Sequence, residues 1–235
     1  MTSPVHTLSR KLKILYYGES CSGKTFAAAS TFQSKYIDKN RVLYFDNHGS
    51  TTALELPKFS NESRHGVLKV SYADSRIIPE TIQAVRLANH EGRPPFDAII
   101  IDDVSEHDAA DVDKSASSKE DGGGWQFWRD HLTNSRNLFR TAPPDETGAH
   151  LIVVARAGRL PDPMAKRNRL KQMDDRPTVI RPSVSGKFGE WLPYQFDFTI
   201  WCEALVDELG KLHFMQYLQP IGDIYVKNRW YHLGT

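Results

Sequence analysis

The sequence lacks the features that mark disulfide-stapled, zinc-binding and membrane-spanning proteins. It has two cysteines, Cys21 and Cys202, and no cysteine or histidine spacing that suits a zinc site. No apolar run approaches the roughly 20 residues that a spanning helix needs. The polar stretch from Met1 to Lys11 lacks the apolar centre of a signal peptide. We therefore expect a soluble protein of the reducing cytoplasm, without a membrane partner.

An excess of charge of one sign is also missing. The net charge is +1, so attraction of the whole surface to nucleic acid is excluded, and any DNA-binding surface has to be local. No Gly-x-Ser-x-Gly motif of a serine hydrolase is present. The composition is that of an ordinary globular protein, with 40% hydrophobic and 25% charged residues. We expect residues 1–235 to form a single domain.

Residues 18–25 read Gly-Glu-Ser-Cys-Ser-Gly-Lys-Thr, which is a complete phosphate-binding loop. Small residues let the backbone N–H groups of such a loop point at phosphate oxygens. Lys24 supplies positive charge to the β and γ phosphates as a catalytic group, and Thr25 offers a hydroxyl to Mg²⁺. The following helix directs its positive end at the phosphates. The residues predicted to bind ATP here are Gly18, Glu19, Ser20, Cys21, Ser22, Gly23, Lys24, Thr25 and Phe26.

Three further candidates follow predicted apolar strands. Asp102 closes the strand at 96–103 and is predicted to hold Mg²⁺ through water. Asp103 either acts on the attacking water or caps the turn. Arg156 follows the strand at 151–155, and it is either a surface arginine or a group that senses the γ phosphate and stabilises developing charge.

The order of the predicted elements indicates the fold class. Strands are predicted at 12–17, 42–45, 67–72, 96–103 and 151–155, and helices at 24–36, 79–89 and 125–141. Alternating strands and helices favour a parallel sheet that is covered on both faces. Late strands with short connections, which predict an antiparallel meander, are at 196–204, 211–218 and 224–230. The sequence therefore predicts an α/β fold with a mainly parallel central sheet and a C-terminal antiparallel extension.

Two polar segments are predicted to be mobile loops. Residues 107–124 include three consecutive glycines and almost no large apolar side chain. Residues 157–185 are long, basic and contain prolines.

Two groups of basic residues each allow two interpretations. Lys227 and Arg229 lie two apart on a predicted strand and share a face. They suit either a phosphate or a strand edge that is protected by charge. A second group either contacts the backbone of single-stranded nucleic acid or belongs to a solvated loop. This second group comprises Lys166, Arg167, Arg169 and Lys171.

The order of these motifs resembles the RecA-type ATPase core. It is more closely similar to the small RecA-like nucleotide-binding proteins of bacteriophages, some of which are single-strand annealing recombinases. The resemblance spans roughly residues 12 to 230. Its matching pieces are residues 15–25, 42–46, 97–102 and 226–229, together with 185–189 and 192–197.

The resemblance implies a RecA-like P-loop ATPase that acts on single-stranded DNA in recombination or annealing, in the cytoplasm of the host cell. It implies head-to-tail homo-oligomers with ATP at the interface, where Lys227 and Arg229 of the next subunit reach the γ phosphate. It also implies DNA contacts by the loop after Arg156, and a single-strand DNA-binding protein as a further partner.

The sequence departs from the RecA-type pattern at one position. Where these enzymes carry a glutamate that polarises the attacking water, alignment on Asp46 places His48. His48 is therefore a candidate catalytic residue, with Asp46 and Asp103 as alternative carboxylates. Two other functions remain open: an assembly or regulatory protein that binds ATP with little turnover, and a small-molecule phosphotransferase.

Overall fold

A nine-stranded sheet organises the part of the chain that the computed structural model describes, which is residues 11–60, 62, 64–70, 76–117, 125–162, 165 and 177–229. The strands are β1 (Lys13–Gly18), β2 (Val42–Asp46), β3 (Gly66–Lys69), β4 (Ala98–Asp102), β5 (His150–Pro161), β6 (Thr178–Pro182), β7 (Phe198–Val206), β8 (Leu212–Tyr217) and β9 (Lys227–Asn228). Their order across the sheet is β3-β2-β4-β5-β1-β7-β8.

The centre of the sheet is parallel. Strands β3, β2, β4, β5, β1 and β7 pair in parallel, so their carboxyl ends meet at one edge. Antiparallel pairing occurs where β6 meets the end of β5 and where β8 and β9 meet β7. This arrangement confirms the predicted α/β class, with a mainly parallel sheet and antiparallel strands.

Helices cover both faces of the sheet. Those in the described part are α1 (Lys24–Ala29), α2 (Ile77–His90), α3 (Val104–Ser117), α4 (Trp125–Thr141), α5 (Pro144–Thr147) and α6 (Gly186–Trp191). Shorter 3₁₀ helices are Ser30–Gln33, Lys39–Arg41, Ser50–Ala53 and Leu192–Gln195. None of the described helices is both long and apolar enough to span a membrane.

Side-chain alternation along the strands produces two hydrophobic cores. In β4, Ile99 and Ile101 face the core that contains residues of α2, α4 and α6. Ala98 and Ile100 face the opposite core, beneath α1 and the 3₁₀ turn that follows it. Because β4 is buried on both faces, its apolar run is continuous, as expected for a central parallel strand.

The prediction of a loop at 107–124 is wrong for all of the residues in this range that the structure describes, 107–117. Residues Val104–Ser117 form α3, and residues 118–124 lie outside the described part. The helix buries small or polar side chains, among them Ala110 and Asp108. The helix therefore packs through a narrow face. Its sequence lacks the stripe of large apolar residues that would have predicted a helix here.

Corrections also apply to the later segments. The predicted loop at 157–185 contains the end of β5 and all of β6, which pair antiparallel from Ala157 to Pro161. The predicted meander is only partly correct, because β7 lies parallel to β1 inside the core. The predicted strand at 224–230 is reduced to β9, which pairs with β7.

Candidate functional site

The predicted phosphate loop connects β1 to α1 at the carboxyl edge of the sheet. Its backbone enters the left-handed region at Cys21, with φ 61°, and at Gly23, with φ 83°. A Cβ on Gly18 would lie 2.2 Å from the carbonyl oxygen of Cys202 in the adjacent β7. Glycine at 18 therefore allows β7 to pass directly beside the loop.

Lys24 folds back over this loop. Its Nζ donates to the carbonyl of Glu19 at 2.5 Å and lies 3.4 Å from Ser22 Oγ. Burial lowers the pKa of Lys24, while the carboxylates of Asp103 and Asp102 act in the opposite direction. The ammonium group is thus partly desolvated and held by an oxygen of the loop itself, a position from which it can turn to an incoming phosphate.

Asp102 joins the loop to the end of β4. The carboxyl group is 2% exposed, and its Oδ2 accepts hydrogen bonds from the hydroxyls of Thr25 at 2.7 Å, Tyr44 at 2.6 Å and Ser50 at 3.0 Å. Burial raises the pKa of Asp102, and the three hydroxyls oppose this shift. Sequence reasoning missed Tyr44 and Ser50, because their approach depends on the pairing of β2 with β4.

Asp103 caps a turn, which is one of the two roles that the sequence left open, and it also lies at the cleft. Its Oδ1 accepts from the backbone N–H of Glu106 at 3.0 Å, the bond that caps the first turn of α3. Its Oδ2 lies 3.5 Å from Nε of Arg156, and the side chain also lines the cleft. Burial, followed by the charge of Asp102, raises the pKa of Asp103 to about 6.

Glu106 is a site residue that sequence reasoning missed. It is 8% exposed, its Oε1 forms an ion pair with Arg156, and the same oxygen lies 3.9 Å from Nδ1 of His48. The Asp-x-x-Glu spacing from Asp103 is a helix-capping signal that would have placed it in the first turn of a helix. A carboxylate thus stands behind His48, although the expected glutamate position itself holds histidine.

Asp46 shapes the turn that carries His48. Its Oδ1 accepts hydrogen bonds from the backbone N–H groups of His48, at 3.2 Å, and Ser50, at 3.1 Å. Its Oδ2 accepts both the N–H and the hydroxyl of Thr51. Both carboxylate oxygens of Asp46 thus hold the turn in shape, and this fixes the backbone that carries His48.

These residues surround one cleft of about 480 Å³. It is lined by Gly18, Glu19, Ser20, Cys21, Lys24, Thr25, His48, Ser50, Asp102, Asp103, Arg156 and Ala157. The structure therefore brings the predicted loop, both aspartates, His48 and Arg156 together. Phe26 lies next to this set and stacks on Phe214.

The donor set at the base of the cleft fits Mg²⁺. This ion takes oxygen ligands, commonly one or two carboxylates together with phosphate oxygens of the substrate. The Thr25 hydroxyl and the Asp102 carboxylate place oxygens 2.7 Å apart, and burial raises the pKa of both Asp102 and Asp103. A bound cation would stabilise the ionised forms of these two desolvated carboxyl groups. In the described part no cluster of three His, Cys, Asp or Glu residues could hold a metal alone, so nucleotide oxygens would complete the shell.

Lys227 and Arg229 lie away from the cleft of their own chain. They sit at the amino end of β7, where Thr199 pairs with Lys227, whereas the loop lies at the carboxyl edge. Lys227 Nζ donates to the carbonyl of Tyr194 at 2.9 Å, and Arg229 pairs with Asp197 at 3.4 Å. The second basic group, Lys166, Arg167, Arg169 and Lys171, lies outside the described residues.

The parallel sheet and the phosphate loop at its carboxyl edge define the class as a P-loop nucleotide-binding domain. Comparison with known protein families matches residues 10–230 to the family described as AAA domain. The chain belongs to this family. No curated protein matches the sequence.

A solved structure of a prototypical ATPase from the type III secretion system of pathogenic bacteria is similar, with a TM-score of 0.52 and 11% sequence identity. The match covers 81% of this chain and 51% of that chain, so the chain spans about half the length of that ATPase. At this identity the similarity concerns the fold alone.

Because Lys227 is partly buried, we expect the free energy of unfolding to increase as the pH rises through the alkaline range. Desolvation, followed by the charge of Arg229, lowers the pKa of Lys227 to about 8 from 10.5. Between these values the unfolded chain binds a proton that the folded protein has released, so the free energy of unfolding rises with pH. Urea titrations from about pH 8 to about pH 10.5 should show a smaller rise in Lys227→Met and Lys227→Arg, because neither side chain titrates there. Equal slopes in all three proteins would contradict this contribution.

Proposed function

We propose that this protein binds ATP with Mg²⁺ in the cleft and hydrolyses it to ADP and phosphate. The observation that carries the proposal is the contact of Thr25 with Asp102 beside Lys24. It unites a hydroxyl, a carboxylate and an ammonium group at a complete phosphate loop. When bound, Mg²⁺ neutralises charge on the β and γ phosphate oxygens.

The residues of this chain supply positioning and charge. Lys24 exchanges its contact with the Glu19 carbonyl for the terminal phosphates. Arg156 lies across the cleft and supplies a second cation for charge that develops on the transferred group. The guanidinium group forms ion pairs with Asp103 and Glu106. These two contacts orient the Arg156 side chain before the substrate binds.

The water-orienting group in this proposal is His48. Its side chain is 59% exposed and lines the cleft, with Glu106 3.9 Å behind its Nδ1. A carboxylate in this position favours one orientation of the imidazole ring. The ring is nevertheless largely exposed and lies 3.9 Å from that carboxylate, so it is held less rigidly than efficient positioning of a water molecule requires. We therefore expect slow hydrolysis in the absence of a partner.

Single-stranded DNA is the partner that we propose, with recombination or annealing in a bacteriophage as the setting. The segment that carries Lys166, Arg167, Arg169 and Lys171 connects β5 to β6. The base of this hairpin lies beside the cleft, because Ser183 N–H donates to the carbonyl of Arg156 at 2.8 Å. This segment is joined to Arg156 through the β5–β6 hairpin, which pairs from Ala157 and Pro182 at its base to Pro161 and Thr178. DNA held by the segment would therefore act on Arg156 through that hairpin.

A head-to-tail assembly is the arrangement in which Lys227 and Arg229 would contribute to ATP turnover. They lie at the amino end of β7, so they can reach a γ phosphate only in a neighbouring subunit. Charge from a neighbour is a recurrent means of stabilising phosphoryl transfer.

ATP turnover with and without single-stranded DNA tests this function. We expect slow Mg²⁺-dependent turnover that DNA increases, with DNA affinity that falls as salt rises. Lys24→Ala should lower turnover at least about 100-fold, because it removes charge stabilisation from the transferred phosphate. Tight ATP binding with no turnover in either condition would instead indicate the regulatory protein. Transfer of phosphate to a small acceptor would indicate the phosphotransferase.

Glu106→Gln tests the arrangement behind His48 and Arg156. Removing the charge releases Arg156 from one of its two carboxylates, so we expect kcat to fall about 10- to 100-fold with little change in KM. Glu80→Gln is the matched control, since Glu80 is exposed in the first turn of α2. A kcat within about twofold of wild type, about 0.4 kcal/mol in activation free energy, would argue against a positioning role for Glu106.

A further inference from the structure

Two phenylalanines beside the phosphate loop are each about half exposed. Phe26 is 56% exposed and Phe214 is 49% exposed. Their rings are stacked, with centroids 6.2 Å apart and an interplanar angle of 25°. We refer to Phe26 and Phe214 as the aromatic platform. The two rings shield only part of each other, so apolar ring surface stays available at this position.

The platform adjoins the nucleotide cleft. Phe26 directly follows Thr25, whose hydroxyl reaches Asp102. Phe214 packs on the loop itself, because a Cβ on Gly23 would lie 2.6 Å from its Cδ1 atom. A nucleotide whose phosphates occupy the loop would therefore have both phenyl rings beside it, because Phe26 is next to Thr25 and Phe214 packs on Gly23.

The hairpin of β7 and β8 is what brings Phe214 to the loop. Strand β7 pairs with β1 only as far as Cys202, opposite Gly18. Beyond that point β7 continues beside β8, and Ala204 pairs with Phe214. The hairpin thus extends past the carboxyl edge of the sheet on the side of the loop opposite to β5 and the acidic residues.

Polar and aromatic surfaces therefore flank the loop on opposite sides. Asp102, Asp103 and Arg156 lie on the side of β4 and β5, where the metal and the terminal phosphate would be held. The platform lies on the side of β7 and β8. This division matches a nucleotide, which has a charged triphosphate at one end and a flat base at the other.

We propose that the aromatic platform binds the base of the nucleotide by stacking, with Phe214 as the principal contact. This inference rests on the proposed binding of ATP and adds the group that holds its nucleoside end. Stacking on aromatic side chains is tolerant of base identity, because every base has a π face. Because inorganic polyphosphate has no base to stack, the platform favours nucleotides over it. Because the phenyl rings carry no hydrogen-bonding groups, the platform discriminates weakly between ATP and GTP.

Comparison of ATP with inorganic tripolyphosphate separates the base contact from the phosphate contact. Phe214→Ala and Phe214→Leu should weaken ATP binding about tenfold and leave tripolyphosphate binding unchanged, both measured with Mg²⁺ by calorimetry. Phe214→Leu retains an apolar side chain against Gly23, so it controls for collapse of the loop. Phe214→Trp should keep or strengthen ATP binding.

Met215→Ala provides the matched control on the same strand. Met215 is similarly exposed, at 43%, and successive side chains of a strand point to opposite faces. We expect this variant to bind ATP and tripolyphosphate as wild type does.

The outcomes distinguish failure of this inference from failure of the proposed function. Unchanged ATP affinity in both Phe214→Ala and Phe214→Leu, or equal loss for ATP and tripolyphosphate, would overturn the stacking contact while ATP binding stands. A wild-type protein that binds neither compound would overturn the proposed function and the platform together.

Discussion

The hydrogen bond between Thr25 and Asp102 is the contact on which the site depends. It joins the end of the phosphate loop to the end of β4, 77 residues later in the chain. Tyr44 and Ser50 bring the β2 end of the sheet to the same carboxylate oxygen. Three segments are thereby fixed around one buried acid, whose raised pKa reflects its desolvation.

The local part of this arrangement was predictable from the sequence. Residues 18–25 have the complete sequence pattern of a phosphate loop. Asp102 and Arg156 each follow an apolar strand, and the carboxyl ends of such strands meet at one edge of a parallel sheet. Tyr44, Glu106 and Phe214 were not predicted. Their positions depend on pairing between distant strands, on a helix with a largely polar sequence, and on a hairpin that folds beside the loop. None of these leaves a local pattern, apart from the capping spacing that ends at Glu106.

The acidic and basic groups of the cleft form a connected network around His48. Glu106 contacts both His48 and Arg156, and Asp103 contacts Arg156 while it caps α3. Rigid support of this kind orients a catalytic charge before substrate binds. Glu106 also brings a carboxylate to within 3.9 Å of His48, the residue that stands where the RecA-type pattern predicts a glutamate.

The most direct test of the account is the Mg²⁺ dependence of ATP binding in Asp102→Asn. The amide keeps an oxygen that can accept from Thr25 and Tyr44, but it removes the negative charge that would attract the cation. The account predicts that Mg²⁺ strengthens ATP binding to the wild-type protein and that the variant loses most of this gain while its Mg²⁺-free affinity is retained. An undiminished gain in Asp102→Asn would contradict the assignment of the metal site.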